Sequence, residues 1–520
     1  MGASQPRDTL RRQLETARLY DETVRQHNIS GEPIFIPGMG RAISSAYEQL
    51  RNAAEYNEGR LVLQRAIKRF YKRLLFVMRH QPEDIGQELL IELVQAGYVQ
   101  DGQYGTKTAE SISQLAAEQM HLYGRLRQAH ISQGKALDWI LSVLSVRTED
   151  YLQPYAYHLA LAAFAYEHFL QRLPKDRLVK TTEENEDYDV ALYVAVHQAL
   201  LKSNVDVVRA DLLRLYSKTT EDVHDYAALN ERIDRLYASP QTRRLKRLVS
   251  KNGAPFRVLK GLIEDTPDLE DTLDNREQFM AAYDYQIGKE YRRTIHRLNS
   301  GLIKSIVFIF ITKGIIGIGV EVPFDLAVYG TVAMLPLMIN LFFPPLYMAS
   351  IRLGLTPPSS ADARATRHYM EQLLYEEKTP ALNLRERTKP YSPLAKFISA
   401  LFFLIPLGVT VALLERLQFN PLQMGIFFVF FSTASFLGFR LGAIVRELKM
   451  SRPQATLSSA FLDFFYLPFI QLGQWLAGKY ARVNVVGEIL DTAIELPLKS
   501  TLRLIRLWIR FLNEKYDELY

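Results

Sequence analysis

Cysteine is absent from the 520 residues, which excludes structural disulfides, thiol nucleophiles, Cys-ligated zinc and iron–sulfur clusters. The pattern His-Glu-x-x-His is missing, and no histidine falls in the long apolar runs after residue 300. That argues against an intramembrane zinc protease and against a serine–histidine dyad there. A Gly-x-x-x-x-Gly-Lys-Ser/Thr phosphate loop is missing too, and Gly317-Ile318-Gly319 sits in an apolar run rather than a strand-to-helix turn. Glu376-Glu377 lacks the arginine three residues on that a glutamate-based prenyl-protease motif requires. The first 28 residues contain no uninterrupted apolar stretch, being broken by Arg7, Arg11, Arg12, Glu15, Asp21, Glu22 and Arg25. A secretory signal is therefore not expected, and the acidic residues argue against an organellar transit peptide. Gly2 does not read as a myristoylation site, because Pro6 stands where that motif takes Ser or Thr.

What is present is unevenly spread. Hydrophobic residues are 48% and charged residues 23%, near the averages of soluble proteins, yet apolar residues crowd the region after about residue 300. The 63 Lys and Arg against 57 Asp and Glu leave a net charge of +6, mild enough that its placement matters more than its size. From 41 to 300 apolar residues recur at intervals of three and four, as in Leu63, Ala66, Ile67, Phe70 and Leu74. This spacing predicts helices over roughly 41–79, 83–99, 107–132, 135–152, 155–173, 188–202, 204–217, 220–238 and 269–300. Ala136–Val146 and Tyr155–Leu170 are apolar over most of their circumference and are expected in a soluble core. The acidic run Glu183, Glu184, Glu186, Asp187 and Asp189 reads as a solvated linker.

Beyond residue 300, Leu302–Val320 and Phe324–Tyr347 form one expected transmembrane hairpin turning at Glu321-Val322-Pro323. Phe397–Leu414 and Leu422–Phe439 form a second, turning around Glu415, Arg416, Asn420 and Pro421. Basic residues cluster before the first span (Arg292, Arg293, Arg297, Lys304), between the hairpins and after the fourth span (Arg440, Arg446, Lys449, Arg452), while the tips offer only Arg416. By the positive-inside rule both termini are expected in the cytoplasm. Phe461–Ala477 is interrupted by Asp463, Pro468, Gln471 and Gln474 and reads as re-entrant or interfacial. In the tail, Lys499, Arg503, Arg506 and Arg510 share one helical face and Leu502, Ile505, Ile509 and Leu512 another, a pattern suited to an anionic membrane surface or to packing on the cytoplasmic domain.

The expected fold is thus all-α: a polytopic helical membrane protein with two transmembrane hairpins, a large N-terminal cytoplasmic helical domain and a C-terminal amphipathic tail. Its segments are an N-terminal helix and linker (1–40), a cytoplasmic helical domain (41–268, with a break near 175–190), a helix leading into the membrane (269–301), hairpin 1 (302–347), a basic loop with a short helix (348–396), hairpin 2 (397–439), and a re-entrant or interfacial segment with the basic tail (440–520).

Among chemistry-bearing residues, Lys313 stands out. It lies in the middle of the first apolar run, where an ionisable group is expensive unless paired or hydrated. Glu321, Asp325, Glu415 or Asp463 could neutralise it, and Thr312, Glu321 and Asp325 make up a transport path with it. The plainer reading is that the span is shifted or tilted, so that Lys313 snorkels or faces protein. The neighbouring glycines, and Gly438 with Gly442, read as close-packing faces. Arg243, Arg244, Lys246, Arg247 and Lys251, continued by Arg257 and Lys260, alternate with apolar residues; with Arg503, Arg506 and Arg510 they are the candidates for binding anionic lipid, nucleic acid or ribosomal RNA, against a merely solvated helix face. Glu118-x-x-His121 and Glu221-x-x-His224 match a di-iron ligand spacing, but Glu221 and Asp222 more naturally complement a helix dipole, and no metal or cofactor is expected. No constellation matches nucleophile, base and spacing, so catalysis is not expected. The expected role is a membrane-anchored scaffold or recruitment protein with a protein partner, in a bacterial plasma membrane; the alternative is a small transporter or channel with Lys313 in its pathway.

Overall fold

The structure, a computed structural model, describes residues 5–34, 45, 48, 59–77, 84–216, 222–266, 268–355, 357–376, 382, 393–450, 457–482, 501 and 508. Those residues are all-α, with one isolated β-bridge between Pro33 and Gly105. In chain order the helices are α1 (Pro6–Asn28), α2 (Gly59–Tyr71), α3 (Ile85–Ala96), α4 (Thr106–Gln128), α5 (Gln133–Leu152), α6 (Ala156–Arg172), α7 (Lys175–Leu178), α8 (Thr182–Glu186), α9 (Tyr188–Val196), α10 (Val205–Leu215), α11 (Val223–Tyr237) and α12 (Pro240–Lys251). They continue as α13 (Ala254–Asp265), α14 (Leu269–Thr272), α15 (Arg276–Ile316), α16 (Val322–Tyr329), α17 (Met334–Gly354), α18 (Ser360–Tyr375), α19 (Pro393–Arg416), α20 (Pro421–Arg446) and α21 (Leu457–Arg482). Two compact units result, the first drawn from 1–249 and 268–271, the second from 250–267 and 272–484.

In the first unit α2, α3, α4 and α5 enclose a core of Leu63, Ile67, Phe70, Leu89, Leu93, Ile112 and Leu144. Burial follows the three-and-four spacing read from the sequence, because those positions share one stripe of each helix. Helix α1 lies along α6 with Leu10 and Leu14 fully buried. Helices α5 and α6 are central, with Trp139, Ile140, Leu144, Ala162 and Phe169 out of solvent. A polar seam crosses this core: the Asp206 carboxylate accepts from Lys68 (2.9 Å), Ser142 (2.6 Å) and Gln64 (3.1 Å). Beside it the fully buried Arg209 donates to Ser142 (2.8 Å) and to Asp234. Buried polar groups are tolerated when most of their donors are satisfied in this way, here all but the Arg209 Nε–H.

The acidic run is largely helical and anchored at two points, while Glu183, Glu186 and Asp189 stay exposed. Thr181 caps α8 by accepting from the Glu184 N–H, Arg244 donates to Glu184 (2.7 Å), and the buried Asp187 accepts from Arg232 (2.5 Å) and Arg235 (2.9 Å). Fixed basic partners hold Glu184 and Asp187 against the fold, and the other three carboxylates face solvent as expected.

The second unit joins α13 and α18 to the apolar helices. Asp265 at the end of α13 is clasped by Lys289 (2.9 Å), Gln286 (2.9 Å) and Arg293 (3.2 Å), and the hydrogen bond from Lys289 leads the effects that hold its carboxyl down to about 2. Arg257 donates to the Glu447 carbonyl (2.6 Å) just past α20, a favourable place for a cation at a helix end. Asn275 caps α15, and Ser359 with Asp362 forms a capping box on α18.

Three described helical segments are long and apolar enough to cross a membrane: Arg276–Tyr329, Met334–Arg352 and Pro421–Arg446. Exposed apolar side chains including Ile303, Val307, Ile311, Ile315 and Ile318 run along the first of them, as a lipid-facing stripe does. The expected turn at Glu321-Val322-Pro323 is corrected. The chain runs through these residues as a π-helical turn (Gly317–Glu321) into α16 and breaks only after the left-handed Gly330. Pro323 has no N–H for the carbonyl four residues back, but that residue, Gly319, lies inside the π turn, where the α-helical ladder is already interrupted. Between α19 and α20 the helices are interrupted at 417–420. Residues 461–477 lie within the single helix α21, which runs through Pro468 and packs along α20.

Candidate functional site

A polar cluster sits among α15, α16, α17 and α20. Lys313, on α15, is 1% exposed, and its ammonium donates to the Glu321 carboxylate, itself 0% exposed. The two are eight residues apart, and eight residues of α-helix would leave them ~80° apart around the axis. The intervening π turn spreads its winding over more residues and brings Glu321 back toward the face of Lys313. The other Glu321 oxygen accepts from Asn340 on α17 (3.0 Å), and the Asn340 amide also reaches the Gln423 carbonyl on α20 (3.2 Å). Beyond this the Gln423 side chain donates to Asp325 (2.9 Å), which also accepts from Asn420 (2.7 Å) and from the Ala333 N–H (3.4 Å).

Asn420 and Gln423 do two jobs at once. They form the capping box of α20, the Gln423 N–H donating to Asn420 Oδ1 (2.8 Å), and they spend their remaining amide donors on Asp325. The Lys313 ammonium also lies 5.0 Å from the centre of the Phe430 ring, an attractive placement for a cation. Chemically the cluster holds one cation and two carboxylates. Asp325 is served by neutral donors, and Asn340 Oδ1 is buried without a hydrogen-bond partner.

Of the four residues read as a transport path, the structure unites Lys313, Glu321 and Asp325 but not Thr312, whose hydroxyl donates to its own helix at Phe308 O (2.6 Å). Lys313 neither snorkels nor lines an open aqueous path in this conformation; it is paired inside protein. The glycines near it do not make close helix contacts: a Cβ on Gly314 or Gly319 would meet nothing within 4 Å, and one on Gly317 would only touch Leu337 at an ordinary 3.6 Å. Gly438 and Gly442 do make them, because a Cβ there would come within 2.3 Å of Ile351 and 2.9 Å of Leu355. Asn340 and Gln423 were not anticipated. The available signals were a lone amide in the apolar run after Leu335 and the Asn-x-x-Gln spacing of a capping box at residue 420.

The basic candidates are partly spent. On α12, Arg243 and Arg247 are exposed, Arg244 is half-buried against Glu184, and Lys246 and Lys251 are half-buried with partners of their own. Arg257, half-buried with its side chain 10% exposed, is tied to Glu447, and its desolvation lowers its basicity. Arg503, Arg506 and Arg510 lie outside the described residues, as do Glu221 and most of the tail. Asp463 lies in α21. Among the described residues no three His, Asp or Glu side chains converge as metal ligands would.

A further titratable cluster lies in the core of the first unit. Ser203 Oγ is 3.2 Å from His197 Nδ1, and His197 Nε2 is 3.3 Å from Asp211, which also accepts from Arg214 (3.0 Å) and Tyr193. Burial raises the Asp211 pKa, but the nearby His197 ring, the Tyr193 hydroxyl and the charge of Arg214 outweigh it and hold the carboxyl below its usual range. The order Ser–His–Asp resembles a nucleophile relay, yet Ser203 is 7% and His197 0% exposed, so a substrate has no approach to the hydroxyl. The cluster fastens the π-helical end of α9 to α10. No family model, curated protein sequence or solved structure matches the chain.

Proposed function

We propose that this protein is a membrane-anchored recruitment scaffold: its apolar helices fix it in a bilayer and its N-terminal helical unit presents a surface to a protein partner. The observation that supports this reading is the division of labour. One unit holds a closed, soluble-type core, while the other carries the candidate spans and consumes their polar groups internally. The finer topology belongs to the same proposal, with four spans in two hairpins, α19 completing the second, and both termini in the cytoplasm of a bacterium. Quantitative affinity purification from gently solubilised membranes tests it. A near-stoichiometric partner should accompany the full chain and be lost from a chain beginning at residue 250, which keeps the second unit whole; a full chain that purifies alone at physiological salt would remove the reading.

A second reading, a small cation-coupled transporter or channel, is favoured by one specific observation. The buried cluster has a carboxylate in excess, Asp325, and ionisable groups placed inside a span are functional candidates by default. In proteoliposomes, Asp325→Asn should then abolish cation flux at unchanged protein yield. Flux equal to that of the unaltered chain takes Asp325 out of any path.

A further inference from the structure

At the first turn of α12, Lys180, Glu184, Pro240, Arg243, Arg244 and Arg247 line a recess of about 390 Å³, within the size of small-molecule sites. Four cations against one carboxylate leave an excess of three positive charges. Arg244 is committed to Glu184 at 2.7 Å, whereas the Arg243, Arg247 and Lys180 side chains have no acidic partner among the described residues. The walls are fixed by backbone contacts: the Lys180 N–H donates to Glu184 Oε2 (2.8 Å), Gln241 donates to the Glu184 carbonyl (2.6 Å), and the Thr242 N–H donates to Ser239 Oγ (3.0 Å). Short helix α8 is thereby docked on the start of α12, which fixes the backbone positions from which the exposed Lys180, Arg243 and Arg247 reach the recess.

We propose that this recess binds a compact phosphate-bearing polyanion, a pyrophosphate or phosphomonoester group, carried either by a soluble metabolite or by a lipid headgroup. Guanidinium forks match phosphate oxygens two at a time, and a group carrying two to three negative charges neutralises the excess where a single carboxylate would not. The positive end of α12 adds to the attraction. Extended nucleic acid fits less well, because it needs a track of cations along a surface, whereas here they converge on one recess and Lys246 and Lys251 are engaged elsewhere. The site goes beyond the proposed recruitment role and does not depend on it.

The test is calorimetric titration of the full chain in mild detergent with inorganic pyrophosphate and, separately, with dioctanoyl phosphatidic acid. Saturable binding is expected for at least one probe, at least tenfold weaker in Arg243→Gln with Arg247→Gln. Glu184→Gln, which frees Arg244 and removes the competing carboxylate, should bind more tightly. The charge-matched pair Arg125→Gln with Arg127→Gln on α4 should bind within twofold of the unaltered chain. Tighter binding of pyrophosphate assigns the site to a soluble ligand, and tighter binding of the phosphatidic acid to a headgroup. No saturable binding of either probe, an equal loss in the α4 pair, or no gain with Glu184→Gln overturns the proposal.

Discussion

Lys313 and Glu321 show how a costly residue becomes acceptable. Alone at that depth each would carry a large desolvation penalty; together, with Asn340 bonded to the carboxylate, each has a partner. Removing one member strands the other, so Lys313→Met or Glu321→Gln alone should cost about 3–5 kcal/mol, whereas the double substitution should cost much less than the sum. Denaturant unfolding of the four proteins in detergent measures this, and strictly additive costs would show that the two groups are not coupled. His168 tests a different physics at the same scale. Burial, aided by Arg172, pushes its pKa down from 6.5 to about 4. A lowered folded value means that the unfolded chain binds the extra proton first. The stability held above about pH 6.5 is therefore lost as pH falls toward 4, by roughly 3 kcal/mol in all. His168→Gln should flatten the melting-temperature profile across that window, and an unchanged slope would point to another titrating group.

The elements show where packing, rather than propensity, sets the tolerance. A Cβ on Gly473 would lie 2.2 Å from the Ser432 carbonyl oxygen and 2.7 Å from Phe436. The first of these is backbone and cannot rotate away, so α20 and α21 touch through a position that only glycine fills. Gly473→Ala should lower the stability of the second unit by about 1–3 kcal/mol, while Gly425→Ala, where a Cβ meets nothing within 4 Å, should leave it nearly unchanged. Equal melting temperatures for the two variants would contradict the close approach. Most helices were legible at this scale because periodicity of three and four was strong, as in α2 to α6. Helices α12 and α13 fall outside the helices expected from spacing, because their apolar residues Leu245, Leu248, Val249, Phe256, Val258 and Leu259 are interleaved with basic ones and form buried stripes only in the packed structure. The misplaced first turn has a similar origin: Pro323 is a reliable breaker in a plain α-helix, and nothing in the local sequence announces a π turn.

For the whole molecule, two compact units predict two unfolding events. The first unit includes residues 268–271, where Leu269 and Glu270 are buried and Arg18 pairs with Glu270 at 3.1 Å. A fragment of residues 1–249 should therefore be a helical protein by circular dichroism, and in the full chain Arg18→Gln, which strands the buried Glu270, should lower the melting temperature of the first unit's transition. A random-coil spectrum, or an unchanged melting temperature in Arg18→Gln, would show that the unit has been bounded wrongly. The sequence by itself determined the helical class, the concentration of apolar segments after residue 300, the central place of α5 and α6, and the anomaly of a lysine in an apolar run, because each depends on composition and short-range periodicity. Only the tertiary structure decided which groups meet. Asn340 joining Glu321 to Gln423, Asp325 bound by the capping residues of α20, and four cations converging beside Glu184 are contacts between elements distant in the chain, and no local spacing encodes which neighbour a buried side chain will face.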